Sequence, residues 1–322
     1  MRTITLALLL ASGCLAAQTS RTPEAVAELA RNADAGAIEQ GIELERLAKE
    51  GDTLAEYYMG MLYLSGKAVP RNEELAVEWL TRAARKENPG AAHNLGVVYE
   101  RSRGPLQNFR LAVHWYEFAA KRGFARSQSN LGFLLWQGLG TLQDLPQARM
   151  WLERAVAANE PRGQYLLGRM MLEGKGVEPD GAKGWQLIGL AAQGGEIEAQ
   201  YRLALAYGSG VGAEKDEARA LEWLRKAAVA GQSEAQYLLA TMYARGASGV
   251  PRDEKEGFKW LRRSAEQGHA GAEYFLGVAY LEGRGVETDL AQAVRWIEAA
   301  ARQGYKGAED LRARAKAMQA KP

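Results

Sequence analysis

The sequence predicts an all-α, right-handed superhelical α/α solenoid of about seven helix-pair repeats, closed at either end by degenerate capping helices. Three observations carry that expectation. A small residue recurs at Gly60, Gly96, Gly132, Gly168, Ala204, Ala240 and Gly277, a period of 36 residues with a single step of 37. A second slot, Trp79, Trp115, Trp151, Leu187, Trp223, Trp260 and Trp296, keeps the same spacing, with the extra residue falling between Gly246 and Pro251. The composition, 47% hydrophobic over 322 residues, rich in Ala and Leu and holding only nine prolines, favours helices over strands. A pair of helices cannot cover its own apolar face, so a fixed period of this length implies units stacked into one continuous core.

The chain opens with a segment that reads as an export signal. Arg2 gives a positive start, Thr3 to Leu10 is an apolar run too short to span a bilayer, and small residues follow. Two cleavages are open. Ala16-Ala17 before Gln18 suits an ordinary signal peptidase and makes residues 1–17 the signal peptide. Leu10-Ala11-Ser12-Gly13-Cys14 resembles a bacterial lipobox, which limits the signal to residues 1–13 and makes Cys14 the lipidated first residue. Either way the mature chain is expected in the periplasm, held at the outer membrane in the lipidated case and touching a membrane in no other way. Cys14 is the single cysteine, so neither a disulfide framework nor a Cys-based metal site is available to the remainder.

Residues 22–51 are expected to form N-terminal capping helices, with Leu47, Ala48 and Gly51 matching the end of a second helix. Seven full units span residues 52–305. In each, the first helix is seen in patterns such as Ala272, Leu276 and Tyr280, which share one face at four-residue intervals. The small residue within it lets another helix approach closely. A turn follows, Gly174-Lys175-Gly176-Val177 or Gly283-Arg284-Gly285-Val286, whose glycines tolerate positive φ. Then comes a polar residue at a constant place: Asn72, Asn108, Asp144, Asp180, Asp216, Asp253 and Asp289 are expected to be N-caps of the second helix. That helix ends at a glycine such as Gly123, Gly195, Gly231, Gly268 or Gly304. Residues 306–322 start another first helix but turn charged through Arg312, Arg314 and Lys316, as a C-terminal cap should.

The motif assembled from these slots, A-x-Y-x-L-G-x-x-Y, then G-x-G-V, D, A-x-x-W and A-A-x-x-G, resembles the Sel-like repeat (SLR) family, a subclass of the tetratricopeptide-like α-solenoids. The resemblance covers most of the chain after the export signal. Departures are local: Leu135 and Met171 replace the second Tyr, Glu87 and Asn159 replace the closing Gly, and the second turn reads Arg101-Ser102-Arg103-Gly104-Pro105.

No catalytic constellation emerges from the residues. His93, His114 and His269 are scattered without metal-ligand spacing, and each reads as a structural or surface histidine. The Gly-x-Gly turns resemble phosphate loops only superficially, because they recur and lack a preceding strand or a Walker lysine. Some cysteine-rich members of the resembled family have been described as β-lactamases, but this chain lacks their paired cysteines and has no Ser-x-x-Lys. A net charge of +2, from 41 basic and 39 acidic residues, provides no field for nucleic acid. No catalytic residue, metal or cofactor is expected.

What remains is surface. In tetratricopeptide-like solenoids the first helices line a concave groove, and there the slot three residues before the glycine position reads Tyr57, His93, Ser129, Tyr165, Tyr201, Tyr237 and Tyr274. Such a ladder serves packing or ligand contact. The irregular slots are more informative about a partner. One residue after the glycine position lie Met61, Val97, Phe133, Arg169, Leu205, Thr241 and Val278; four residues after it lie Leu64, Glu100, Trp136, Leu172, Gly208, Ala244 and Leu281. Phe133 and Trp136, with Tyr165 and Arg169 in the next unit, have the composition of an interface hot spot; Tyr201 and Tyr237 extend it along the ladder. On this reading Trp136→Ala with Arg169→Glu abolishes binding and leaves the melting temperature nearly unchanged. The resemblance implies another protein as partner, held in the groove. Its specific versions are a periplasmic immunity protein neutralising a secreted toxin, such as a type VI phospholipase-like effector, or an outer-membrane lipoprotein scaffold for polysaccharide export or envelope assembly. A cell-wall or β-lactam hydrolase is the competing class.

Overall fold

A computed structural model describes residues 22–247 and 249–319. The export signal read at residues 1–17 and the lipidation candidate Cys14 lie outside the described residues. Those residues hold α-helices, one short 3-10 turn and no strand, arranged as an all-α solenoid of helix pairs.

The helices form two compact units. The first ends at Phe124 and comprises α1 (Pro23–Asp34), α2 (Ile38–Lys49), α3 (Thr53–Ser65), α4 (Glu73–Arg85), α5 (Pro89–Arg101) and α6 (Phe109–Lys121). The second begins at Ala125. It comprises α7 (Ala125–Gln137), α8 (Leu145–Ala157), α9 (Pro161–Glu173), α10 (Gly181–Gln193), α11 (Ile197–Ser209) and α12 (Glu217–Val229). Its chain continues through α13 (Ser233–Arg245), α14 (Glu254–Glu266), α15 (Ala270–Glu282), α16 (Leu290–Arg302) and α17 (Ala308–Gln319).

Each second helix starts where the polar slot stands. Asn72, Asn108, Asp144, Asp180, Asp216, Asp253 and Asp289 all sit in extended backbone, and each side chain accepts a hydrogen bond from the N–H three residues on. Such a bond satisfies one of the orphan donors of the first turn. The first helices are capped as well, by a more varied set: Asp52, Asn88, Glu160, Gln232 and His269.

Within each pair the small-residue slot is a point of close approach. A Cβ added at Gly60 would lie 2.6 Å from Leu80 Cγ, one at Gly132 2.7 Å from Leu152 Cγ, and one at Gly277 2.5 Å from Ile297 Cγ1. The residue opposed is in each case the one after the tryptophan slot, so the two recurring slots are halves of one contact. Four of the tryptophans are covered by a cation one turn further along: Arg82 lies 4.5 Å from the Trp79 ring centroid, Arg154 4.6 Å from Trp151, Lys226 4.1 Å from Trp223 and Arg263 4.6 Å from Trp260.

Successive pairs are joined by contacts that the sequence pattern did not announce. The second glycine of the turn presses onto the preceding pair. At Gly285 a Cβ would meet the Glu254 carbonyl oxygen at 2.1 Å, and at Gly212 the off-register Trp185 ring occupies the space. The residue just after the second helix reaches back to the preceding unit, Lys86 Nζ donating to the Gly51 carbonyl oxygen at 2.7 Å and Gln303 Nε2 to that of Gly268 at 2.9 Å, and within its own pair it meets a buried polar slot four residues before the glycine position. Lys86 Nζ reaches Glu56 Oε1 at 2.8 Å, Gln267 Nε2 donates to Gln236 Oε1 at 2.8 Å, and Gln303 Nε2 donates to Glu273 Oε2 at 2.8 Å.

The two missing closing glycines leave a mark. Glu87 (φ 66°) and Asn159 (φ 55°) are the non-glycine residues of positive φ among the described residues, holding the left-handed conformation that Gly123, Gly195, Gly231, Gly268 and Gly304 hold elsewhere. A Cβ makes that conformation unfavourable, least so for Asn. Glu87→Gly is therefore expected to raise stability by on the order of 0.5 kcal/mol after the unfolded-state entropy of glycine is counted, and Asn159→Gly by less, read as shifts of the urea midpoint. The irregular second turn is built differently again. Gly104–Leu106 forms a 3-10 turn, and buried Ser102 donates from Oγ to Glu73 Oε2 at 2.6 Å.

Candidate protein-binding surface

Phe133 and Trp136 project from α7, and Tyr165 and Arg169 from the neighbouring first helix α9. The structure brings Trp136, Tyr165 and Arg169 together: the Arg169 guanidinium lies 5.0 Å from the Trp136 ring centroid and 5.7 Å from that of Tyr165. Arg169 also binds Glu173 Oε1 through Nη2 at 2.9 Å, and Glu173 pairs with Lys175 at 3.0 Å. Burial works against the charge of Arg169, but the hydrogen bond to Glu173 and the electrostatic pull of Tyr165 and Glu173 outweigh it and hold the guanidinium pKa up. Burial likewise pushes Glu173 up, and its bonds from Arg169 and Lys175 outweigh that, leaving the carboxyl below the usual range.

The cluster exists, but its ring surface is inside the protein. Trp136 is 2% exposed and Tyr165 6% exposed. This corrects the expectation that they form an exposed hot spot. The physical reason lies in the slot four residues after the glycine position, which faces the partner helix of the same pair. Leu64 packs there against the core and Leu172 lies over Gly184; Trp136 fills the same space in the third pair, with Arg169 as its lid. A tight, fully satisfied cluster of this kind has little left to offer a partner.

The other members of the candidate set are distributed. Phe133 is half-buried under the Arg162 guanidinium at 5.4 Å. Tyr201 and Tyr237 are half-buried against the core around Ala227, Leu239 and Leu276. The tyrosine ladder works as a bridge between neighbouring first helices. Tyr237 stacks on His269 with centroids 4.6 Å apart, and Tyr274 packs on Tyr305 at 5.0 Å. His269 is both stacked and bonded, its Nδ1 accepting from the Ala272 N–H at 3.0 Å. His93 lies between the rings of Tyr116 and Phe124, and exposed His114 sits edge-on to Trp115. Among the described residues no three His, Cys, Asp or Glu side chains converge on a point where a metal ion could be held.

The open apolar surface is elsewhere in the same slot. At Gly208 and Ala244 the position that Trp136 fills is vacated in two successive pairs, and a hollow remains beside each. One, of about 370 Å³, lies between α11, α12 and α13 and is lined by Leu205, Gly208, Leu221, Leu238 and Met242. The other, of about 270 Å³, lies between α13, α14 and α15 and is lined by Tyr237, Ala244, Phe258, Leu261, Phe275 and Val278, with Arg245, Arg252 and Arg284 at its lip. Phe275 is 40% exposed at the mouth. The signal for these hollows stood in the sequence as the two smallest residues of the slot. Large side chains carry the composition of a binding surface, whereas in a filled framework the small residue is what makes room.

Comparison with known proteins follows the same repeat. The Sel1 repeat family model matches seven times in succession, over residues 53–88, 89–124, 125–160, 161–196, 197–231, 233–269 and 270–305. Among solved structures, a Sel1 repeat protein from Oxalobacter formigenes is 30% identical, with 90% of this chain and 86% of that one covered and a TM-score of 0.63. A protective antigen present in uropathogenic Escherichia coli strains, displaying an SLR fold, is 26% identical, with 92% and 73% covered and a TM-score of 0.52. An immunity protein from Pseudomonas aeruginosa is 17% identical, with 66% and 80% covered and a TM-score of 0.48. No curated protein matches the chain in sequence.

Proposed function

The chain belongs to the Sel1 repeat family, a protein-interaction fold, and from that premise we propose that it binds another protein outside the cytoplasm and performs no catalysis of its own. The observation that carries this reading is the pair of hollows at Gly208 and Ala244. Packing alone is served by filling the slot, as Trp136 and Leu172 do. Leaving it empty in two successive pairs removes apolar contacts and exposes Leu205 and Phe275, a cost that binding offsets.

The specific form proposed is a periplasmic immunity protein that neutralises a secreted toxin, of the phospholipase-like type VI kind. Its support is the resemblance of the repeat motif and the export signal read at residues 1–17. The second reading, an outer-membrane lipoprotein that scaffolds polysaccharide export or envelope assembly, is favoured by the lipobox-like stretch ending at Cys14.

The test is photo-crosslinking from position 275 in the periplasm, followed by reconstitution with the purified, identified partner. The expected result is a binary complex with a secreted toxin, loss of that toxin's activity on binding, and survival of cells that carry the chain in the periplasm. Crosslinks to an export or envelope-assembly complex would select the second reading. The absence of any specific complex, or turnover of a β-lactam or peptidoglycan by the purified chain, would overturn the binding proposal.

A further inference from the structure

The hollow between α13, α14 and α15 is matched to one kind of group, and the chain carries its own image of that group. The equivalent space in the third pair is filled by Trp136, which projects from the position equivalent to Ala244. Around Ala244 the floor is made of small residues, Ala240, Gly257 and Ala279, so that no neighbour reaches across to close the gap. Val278 stands where Arg169 stands over Trp136, which leaves the top of the hollow uncovered. A volume of about 270 Å³ is room enough for one large side chain.

Charge at the lip identifies what flanks that side chain. Three arginines line the hollow against one glutamate. Arg252 is paired with Glu254 and Arg284 with Glu282, whereas Arg245 makes no ion pair among the described residues. An exposed, unpaired guanidinium beside an apolar cavity favours a carboxylate and disfavours a cation in the incoming segment.

We propose that this hollow receives a single aromatic side chain, presented by an acidic segment of the partner protein, with a carboxylate next to the aromatic residue engaging Arg245. The aromatic ring enters beside Phe275 and Phe258 and takes the place that Trp136 takes within the third pair. This assignment rests on the protein-binding reading above and specifies the chemistry of the partner at that surface.

The experiment pans the full chain against a phage-displayed random peptide library and measures the enriched peptides by fluorescence anisotropy. The expected motif is an aromatic residue next to Asp or Glu. Ala244→Leu, which installs the residue found at Leu64, Leu172 and Leu281, and Ala244→Trp, which copies the third pair, are each expected to weaken binding at least tenfold while leaving the thermal midpoint unchanged or higher. Arg245→Glu, on an exposed residue that makes no ion pair, is expected to weaken binding about tenfold and to flatten its salt dependence. The proposal is overturned if no motif is enriched, if the motif is basic or lacks an aromatic residue, or if binding survives both Arg245→Glu and whichever Ala244 variant folds. A crosslinked partner that still binds Ala244→Leu would sink the hollow as its site and leave protein binding standing. Absence of any crosslinked partner, with the peptide motif intact, would overturn the proposed binding of a protein in the periplasm and leave only the ligand chemistry of the hollow standing.

Discussion

Trp136→Ala is expected to destabilise the unit that begins at Ala125 by about 3–5 kcal/mol, the range for deleting a fully buried aromatic side chain. Trp136 is 2% exposed, and its ring supports the Arg169 guanidinium at 5.0 Å. Removing it opens a cavity between α7 and α8 and strips Arg169 of one aromatic face. Trp136→Leu should recover part of the loss, because leucine fills the same slot at Leu64, Leu172 and Leu281. Adding Arg169→Glu to Trp136→Ala deepens the loss. Glu173, held ionised by Arg169 at 2.9 Å, would then face a second carboxylate in a partly buried place. Urea titration followed by circular dichroism reads all three variants. An unchanged midpoint for Trp136→Ala would restore Trp136 to the surface role expected from its composition.

The second large effect comes from the small-residue slot. Gly277→Val is expected to cost about 3 kcal/mol, the upper end of ordinary overpacking. Its Cβ would stand 2.5 Å from Ile297 Cγ1, 3.1 Å from the Ala293 carbonyl oxygen and 3.2 Å from the Ile297 nitrogen, so two of the three conflicts are with backbone that no rotamer change can move. The contrast that makes the measurement informative is Gly208→Ala. Gly208 is also helical, but an added Cβ meets only Ala220 Cβ, at 3.8 Å. There the substitution is expected to stabilise by about 0.5–1 kcal/mol through helix propensity alone. Midpoints moving in opposite directions for the two glycines would separate close approach from backbone freedom; a loss of stability at Gly208 would mean that its hollow is closed in solution.

The fold was legible because its determinants are local and recur. The polar slot at Asn72 to Asp289 announces seven helix starts by side-chain chemistry that each residue performs alone, and all seven are caps. The caps of the first helices were harder to read, since Glu160, Gln232 and His269 are not the usual residue types for that position and share no pattern. Contacts between pairs were not legible at all. That Gln303 reaches the Gly268 carbonyl, or that Trp185 lies over Gly212, depends on which positions stacking brings together, and a periodic pattern is silent about side chains that occur once. For the candidate surface, composition identified the true neighbours Trp136, Tyr165 and Arg169 but not the side on which they lie. Burial of a large aromatic residue and its exposure at an interface look the same in a sequence; only the geometry of the slot distinguishes them.

The hydrogen bonds that join the two helices of a pair have a bearing on how such an array could be rearranged. Glu56 is 3% exposed and depends on Lys86, and Glu273 is buried against Gln303. The positions corresponding to Lys86 and Gln303 in other pairs are occupied by Arg122, Ala158, Gly194, Ala230 and Gln267. A recombination event that broke inside a pair and joined the helix carrying Glu273 to the second helix that ends before Ala230 would keep the period, the caps and the tryptophan slot, and would still strand a buried carboxyl without its side-chain hydrogen-bond donor. The pair is therefore the unit of exchange: breakpoints inside a pair are restricted by which second helix each buried acid was matched to.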